Sequence, residues 1–292
     1  MNDSAPKLHH ILPIRYQSGF AIPDGCVWYF DRRRGTIACE HPKRVAAESH
    51  FYTYEPRDIP NATALETFFA LHVEGPFWSV LDRLEKQEIP TPDDRMRVSF
   101  FSAFMLTRIP AFRSLCAKVF GDAVVSFSKL YPNLEFLDGI CRTSSGGIIQ
   151  PTEPKNNILR KMGHIGMEAG KHLLTLDTHF MYSSPDEPFI TTDNPFVLVQ
   201  MVKDFQPPTV SATSFMKWIP LSAKLAVGFG LPGNRITFTN VEAAKVRKTN
   251  TGLATAAGQI ILARSRDQLE QILSIIPKEI PDGAASFPSV VF

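Results

Sequence analysis

The chain is short of several features that would announce a function. Its longest apolar runs, such as Phe196 to Val199, fall far below the roughly 18 residues needed to cross a bilayer, and Met1 to Lys7 is polar with no apolar export core. A cytoplasmic location and no membrane partner are therefore expected. Charge of one sign is also lacking: 31 basic against 29 acidic residues leave +2, too little for a field that would draw nucleic acid or anionic lipid to the whole surface. Any such binding has to come from a local patch. The four cysteines, Cys26, Cys39, Cys116 and Cys141, form no Cys-x-x-Cys pair and no zinc-ribbon spacing, so free thiols are expected. There is no Gly-rich phosphate loop, no G-x-S-x-G elbow and no Rossmann fingerprint. Serine hydrolases and nucleotide-cofactor enzymes of the common folds are disfavoured, and no nucleotide cofactor is expected.

What is present is an ordinary globular balance, 44% hydrophobic and 21% charged, on 292 residues, with 23 prolines scattered between periodic segments. The chain reads as one domain over 1–292, with a Ser, Gly and Pro-rich loop at 138–154 as the one candidate internal boundary. Short extended segments come first: Ile11 to Tyr16, then Cys26 to Phe30 and Gly35 to Cys39, the last two joined by the turn Asp31-Arg32-Arg33-Arg34-Gly35. A helical block follows, from Asn61 or Thr63 to about Lys86, with Gly75-Pro76 as a break, then Pro92 to Thr107, then Ala111 to Leu130. Phe100, Phe101, Phe104, Met105 and Leu106 surround most of the second helix, which predicts that it is buried. Beyond the loop, a helix near Ile158 to Ala169 precedes strands at Lys171 to Tyr182, Phe189 to Thr192, Phe196 to Val202, Phe215 to Phe229, Arg235 to Thr239 and Gln259 to Ala263, with helices at Val241 to Ala257 and Asp267 to Ile275. The order predicts an α+β fold, in which N-terminal and C-terminal segments share a mixed or antiparallel sheet around a central helical block.

Three polar words stand out: His9-His10-Ile11-Leu12-Pro13, Val45-Ala46-Ala47-Glu48-Ser49-His50-Phe51-Tyr52, and Phe189-Ile190-Thr191-Thr192-Asp193-Asn194-Pro195. With Trp28-Tyr29-Phe30-Asp31, Leu65-Glu66, Glu74, Arg108-Ile109-Pro110 and Pro220-Leu221-Ser222, they resemble a bacterial family known as domain of unknown function 4238. The resemblance spans most of the chain. It names relatives and no reaction.

Each polar residue has a structural and a chemical reading. His9 and His10 are adjacent, so in a strand they point to opposite faces and at most one enters a given site. Either could ligate a divalent metal of unspecified identity with Glu48, Glu66, His50 or Asp193, or could bond to the backbone and lock the N-terminal segment. Glu48, between small and aromatic residues, could be a general base or the partner of Arg44 or Arg108. Asp193 ends a strand, where an Asp accepts backbone bonds in a turn and where catalytic carboxylates are also found. Arg108 ends a buried helix and needs a carboxylate, with Glu48 and Glu66 as first choices, unless it meets an anionic ligand. Glu74, about 80° around the helix from Glu66, is expected in solvent, and His72 in the core. Arg32, Arg33 and Arg34, with Lys43 and Arg44, make the one dense basic cluster, next to Trp28, Tyr29 and Phe30, whose rings could stack on unpaired bases of nucleic acid. Two functions compete. One is a metal-dependent hydrolase, such as a phosphodiesterase or nuclease, using Glu48, Asp193 and Arg108 with His9 or His10 on the metal. The other is a non-catalytic binding or regulatory module whose polar residues form a structural hydrogen-bond network.

Overall fold

The computed structural model describes residues 8–53, 63–114, 116, 154–200, 215–277 and 289–291. The helix expected at 111–130 and the candidate boundary at 138–154 lie almost wholly outside them.

Strand β1 (Leu8–His10) opens the chain and pairs antiparallel with β4 (Ala47–Ser49), His9 lying opposite Glu48. Between them come helix α1 (Ile14–Ser18), the hairpin of β2 (Val27–Asp31) and β3 (Thr36–Glu40), and a 3-10 turn at Pro42–Arg44. The strand expected over Ile11 to Tyr16 is thus a helix start, because Pro13 immediately precedes the first turn, where its fixed φ costs nothing. The hairpin is as expected: Gly35 takes φ +63°, and Asp31 Oδ1 accepts the Arg33 N–H at 2.9 Å across the turn.

The helical block runs through α2 (Ala64–Phe68), a π-turn at Phe69–Glu74, α3 (Gly75–Leu84) and α4 (Pro92–Arg108). Gly75-Pro76 does not break it. A proline ring clashes with the carbonyl of residue i−4, here His72, and the wider π-turn just upstream accommodates it. That turn also advances less per residue than an α-helix, so it swings Glu74 back towards Glu66 and leaves His72 exposed, opposite to both expectations. Helix α4 is buried on most sides, as its aromatics predicted, and starts with a capping box in which Thr91 and Asp94 bond each other's backbone N–H. Helix α5 (Pro154–Leu174) packs along it, Gly166 and Gly170 leaving notches for the rings of Phe104 and Phe100.

The second half builds a six-stranded mixed sheet in the order β10-β5-β9-β8-β7-β12, from β5 (Leu176–Tyr182), β7 (Val197–Gln200), β8 (Phe215–Pro220), β9 (Leu225–Pro232), β10 (Ile236–Asn240) and β12 (Ser289–Val291). The third ladder joins the two ends of the chain. It is a four-stranded antiparallel sheet in the order β3-β2-β11-β6, with β6 (Thr191–Thr192) and β11 (Ile260–Ala263). Helices α6 (Ala243–Thr255) and α7 (Arg266–Leu273) pack on this sheet, α7 along β2, β3 and β11. The fold is α+β, with its N-terminal hairpin and C-terminal strand sharing a sheet as expected, although that sheet is one of three among the described residues. Tyr16 of α1 ties two of them together, its hydroxyl bonding Thr191 Oγ1 and the Pro220 carbonyl, both at 2.8 Å.

Candidate functional site

The first polar cluster gathers words from four parts of the sequence. His9 is fully buried, stacked on Tyr52 with centroids 5.8 Å apart, and its Nδ1 accepts the Tyr52 N–H at 2.8 Å. Its Nε2 faces Glu66 Oε2 at 3.3 Å, so the proton of the neutral ring sits on Nε2. Arg108 lies over the rings of Tyr52 and Phe69, at 5.3 and 4.8 Å. It donates to the Tyr52 hydroxyl at 3.1 Å, to the His10 carbonyl at 3.0 Å and to Glu74 Oε1. Its carboxylate partner is therefore Glu74, not Glu48 or Glu66. Burial opposes the Arg108 charge, but Tyr52 and Glu74 more than offset it and hold the guanidinium protonated. Burial pushes the Glu66 carboxyl above the usual range, with Arg108 and His10 pulling the other way.

The second cluster surrounds Asp193, which follows β6. Its carboxylate accepts the N–H groups of Gly258 at 2.9 Å and Gln259 at 2.7 Å, fixing the turn that leads into β11. Burial pushes this carboxyl up to about 6 against the pull of those same donors. Arg32 reaches the same turn from the hairpin: it is buried and donates to the carbonyls of Ala254 at 2.7 Å and Pro277 at 3.0 Å. Burial lowers its pKa and the charge of Asp193 opposes that.

Over Asp193 opens a cleft of about 360 Å³. Alternation along β2 sends Tyr29 and Asp31 to one face of the four-stranded sheet and Trp28 to the other. Tyr29, Asp31 and, from β11, Ile260 form part of the cleft wall, with Gly258 and Gln259 beside Asp193. The segment from Arg44 to Glu48 closes the opposite side, with Ala46 in the left-handed region at φ +48°, a conformation an alanine holds only under strain. Arg33, Arg34 and Arg44 line the same space. Arg34 lies 3.6 Å from Asp31 and Arg44 3.5 Å from Glu40, both arginines being largely exposed and so loosely held. Cationic side chains over a partly apolar wall suit an anion.

The residues expected at a site divide accordingly. Glu48 and Asp193 line one cleft, whereas Arg108, His9 and His10 do not line it. Glu48 is half exposed, with Arg113, 3.9 Å away, as its cation in place of Arg44 or Arg108. His10 Nε2 bonds the Lys43 carbonyl at 3.0 Å. Among the described residues no group of three or more His, Cys, Asp or Glu is arranged to hold a metal ion. Of the proposed binding residues, Arg33 and Arg34 face the cleft; Arg32 is turned inward by the backbone carbonyls it serves, and Trp28 is sent to the other face of the sheet by the alternation of its strand. Tyr29, expected with Trp28 and Phe30 as a stacking surface, lines the cleft. Gly258 and Gln259 were not anticipated, and enter only through the pairing of β11 with β2. No helix among the described residues is long and apolar enough to cross a membrane.

No curated protein and no solved structure matches the chain. A family model described as a protein of unknown function (DUF4238) matches residues 8–267, which take in every cleft-lining residue named above, and the chain belongs to that family.

Proposed function

We propose that the chain is a ligand-binding module, in which the family's polar residues are the frame and the arginine-lined cleft takes an anion such as a phosphate group. One observation carries this reading. Both nitrogens of His9, the guanidinium of Arg108 and the carboxylate of Asp193 are engaged by internal partners, while Arg33, Arg34 and Arg44 extend from the protein body into open space. The metal-dependent hydrolase remains the second reading because Glu48 and Asp193 line that same cleft.

A thermal-shift titration with inorganic phosphate tests the first reading, since a ligand that binds only the folded state raises the melting temperature. The wild-type chain is expected to shift. The triple variant Arg33→Ala, Arg34→Ala, Arg44→Ala is expected to melt as before without ligand, exposed arginines contributing less than about 1 kcal/mol each, and to lose the shift. An equal shift in both proteins would refute the cleft as the site. Hydrolysis of bis(p-nitrophenyl) phosphate in the presence of Mn²⁺, abolished by Glu48→Gln at unchanged stability, would decide for the hydrolase.

A further inference from the structure

The cleft is not uniformly basic. Asp31, Glu48 and Asp193 line it together with Arg33, Arg34 and Arg44. Asp193 is held by its own frame, its carboxylate accepting the backbone N–H groups of Gly258 at 2.9 Å and Gln259 at 2.7 Å. A smaller pocket of about 80 Å³ adjoins the cleft and shares Pro110, Asp193 and Gly258 with it. Asn194 lines that inner pocket. It is 2% exposed, its Nδ2 points to the Ala256 carbonyl at 3.4 Å, and its Oδ1 has no hydrogen-bond partner among the described residues. A buried carbonyl without a donor is unusual in a folded protein, and a ligand is one source of the missing donor. Gly258 keeps the junction open, since a Cβ there would lie 3.0 Å from Asp193 Oδ2.

Size and charge pattern then restrict the ligand. The volume of about 360 Å³ corresponds to roughly a dozen waters at ~30 Å³ each, more than one phosphate group fills. A nucleic-acid strand calls for a basic track along its length, whereas here three carboxylates share the lining with three arginines. We infer that the ligand is a small phosphate monoester of a polyhydroxyl compound, its phosphate on Arg33, Arg34 and Arg44 and a hydroxyl donating to Asn194 Oδ1. This deepens the anion-binding reading and rests on it.

Isothermal titration of the wild-type chain with inorganic phosphate, ribose 5-phosphate and ribose separates the two claims. Ribose 5-phosphate is expected to bind at least tenfold tighter than phosphate, and ribose to bind far more weakly than either. Equal affinities for phosphate and ribose 5-phosphate overturn the polyhydroxyl inference and leave the anion reading standing; binding of neither overturns both. Tighter binding of a short single-stranded oligonucleotide than of ribose 5-phosphate also overturns it, in favour of a polymer. Gly258→Ala, which fills the junction, and Asn194→Ala are each expected to lower ribose 5-phosphate to the affinity of phosphate while leaving phosphate unchanged. Retention of the tenfold preference in Gly258→Ala refutes the assignment of the hydroxyl to this pocket, and the wild-type series holds even where Asn194→Ala fails to fold.

Discussion

Arg108 and Glu74 form an ion pair against the faces of Tyr52 and Phe69, and the π-turn ahead of Pro76 is what brings Glu74 to that side of its helix. Removing the cation strands a carboxylate that is 18% exposed beside an aromatic wall. Arg108→Met is therefore expected to cost about 3 kcal/mol in chemical denaturation, near the low end for a broken buried pair because Glu74 keeps some water. Glu66→Gln should cost much less. A loss under about 1 kcal/mol for Arg108→Met would show that the pair is not structural.

Asp193 makes stability depend on pH in a direction opposite to that of most carboxylates. Its folded-state carboxyl sits at about 6, against ~3.9 in an unfolded chain, so the folded protein binds this proton more tightly. The contribution is fully present below pH ~4 and is lost as pH rises through about 6, amounting to roughly 2 to 3 kcal/mol. Asp94 and Asp177 work the other way: the hydrogen bonds of Asp94 outweigh its burial, and those from Arg235 lower Asp177. The comparison to make is therefore between proteins. Urea denaturation of wild type and Asp193→Asn at pH 5 and pH 7.5 should show the wild type losing roughly 1 to 1.5 kcal/mol relative to the variant over that interval. Parallel curves would place the Asp193 pKa near that of a free carboxyl.

The two notches of α5 should respond differently to the same substitution. A methyl group at Gly166 would overlap the ring of Phe104, which is buried and cannot retreat, whereas at Gly170 it would meet Phe100, which is half-buried and can swing outward. Replacing a helical glycine by alanine gains about 1 kcal/mol of helix propensity, and overpacking costs about 1 to 3. Gly166→Ala is expected to lower the melting temperature and Gly170→Ala to leave it unchanged or raise it. The reverse order would show that Phe104 has room to move.

His9→Phe keeps a ring beside Tyr52 but leaves the Tyr52 N–H buried without its acceptor, a loss expected at about 1 to 3 kcal/mol. EDTA should not change the melting temperature of the wild type. A chelator-induced drop in the wild type that His9→Phe abolishes would instead make His9 a metal ligand and restore the hydrolase as the leading function.

Local chemistry made part of this architecture legible. The ring of aromatics around α4 told of its burial, and the Asp31 to Gly35 turn was readable as the joint of a hairpin. The identity of Asp193 as a strand-end acceptor was readable too, because the Asp-Asn-Pro word fixes a turn there. Glu74 was misread because a π-turn is set by the clash between Pro76 and a carbonyl, a local effect that ideal helical angles ignore. The division between Arg32 and its two neighbours was not readable at all. It depends on the carbonyls of Ala254 and Pro277, delivered by the C-terminal part of the fold.

That dependence has a consequence for synthesis. Arg32 and Ala254 are separated by 222 positions, and β2 has no second neighbour until β11 has emerged. At ~5 to 20 residues per second, a ribosome takes on the order of 10 to 50 seconds to cover that distance. Throughout that interval the strand that covers the second edge of β2 is absent, so the nascent chain has its cations before it has its cleft.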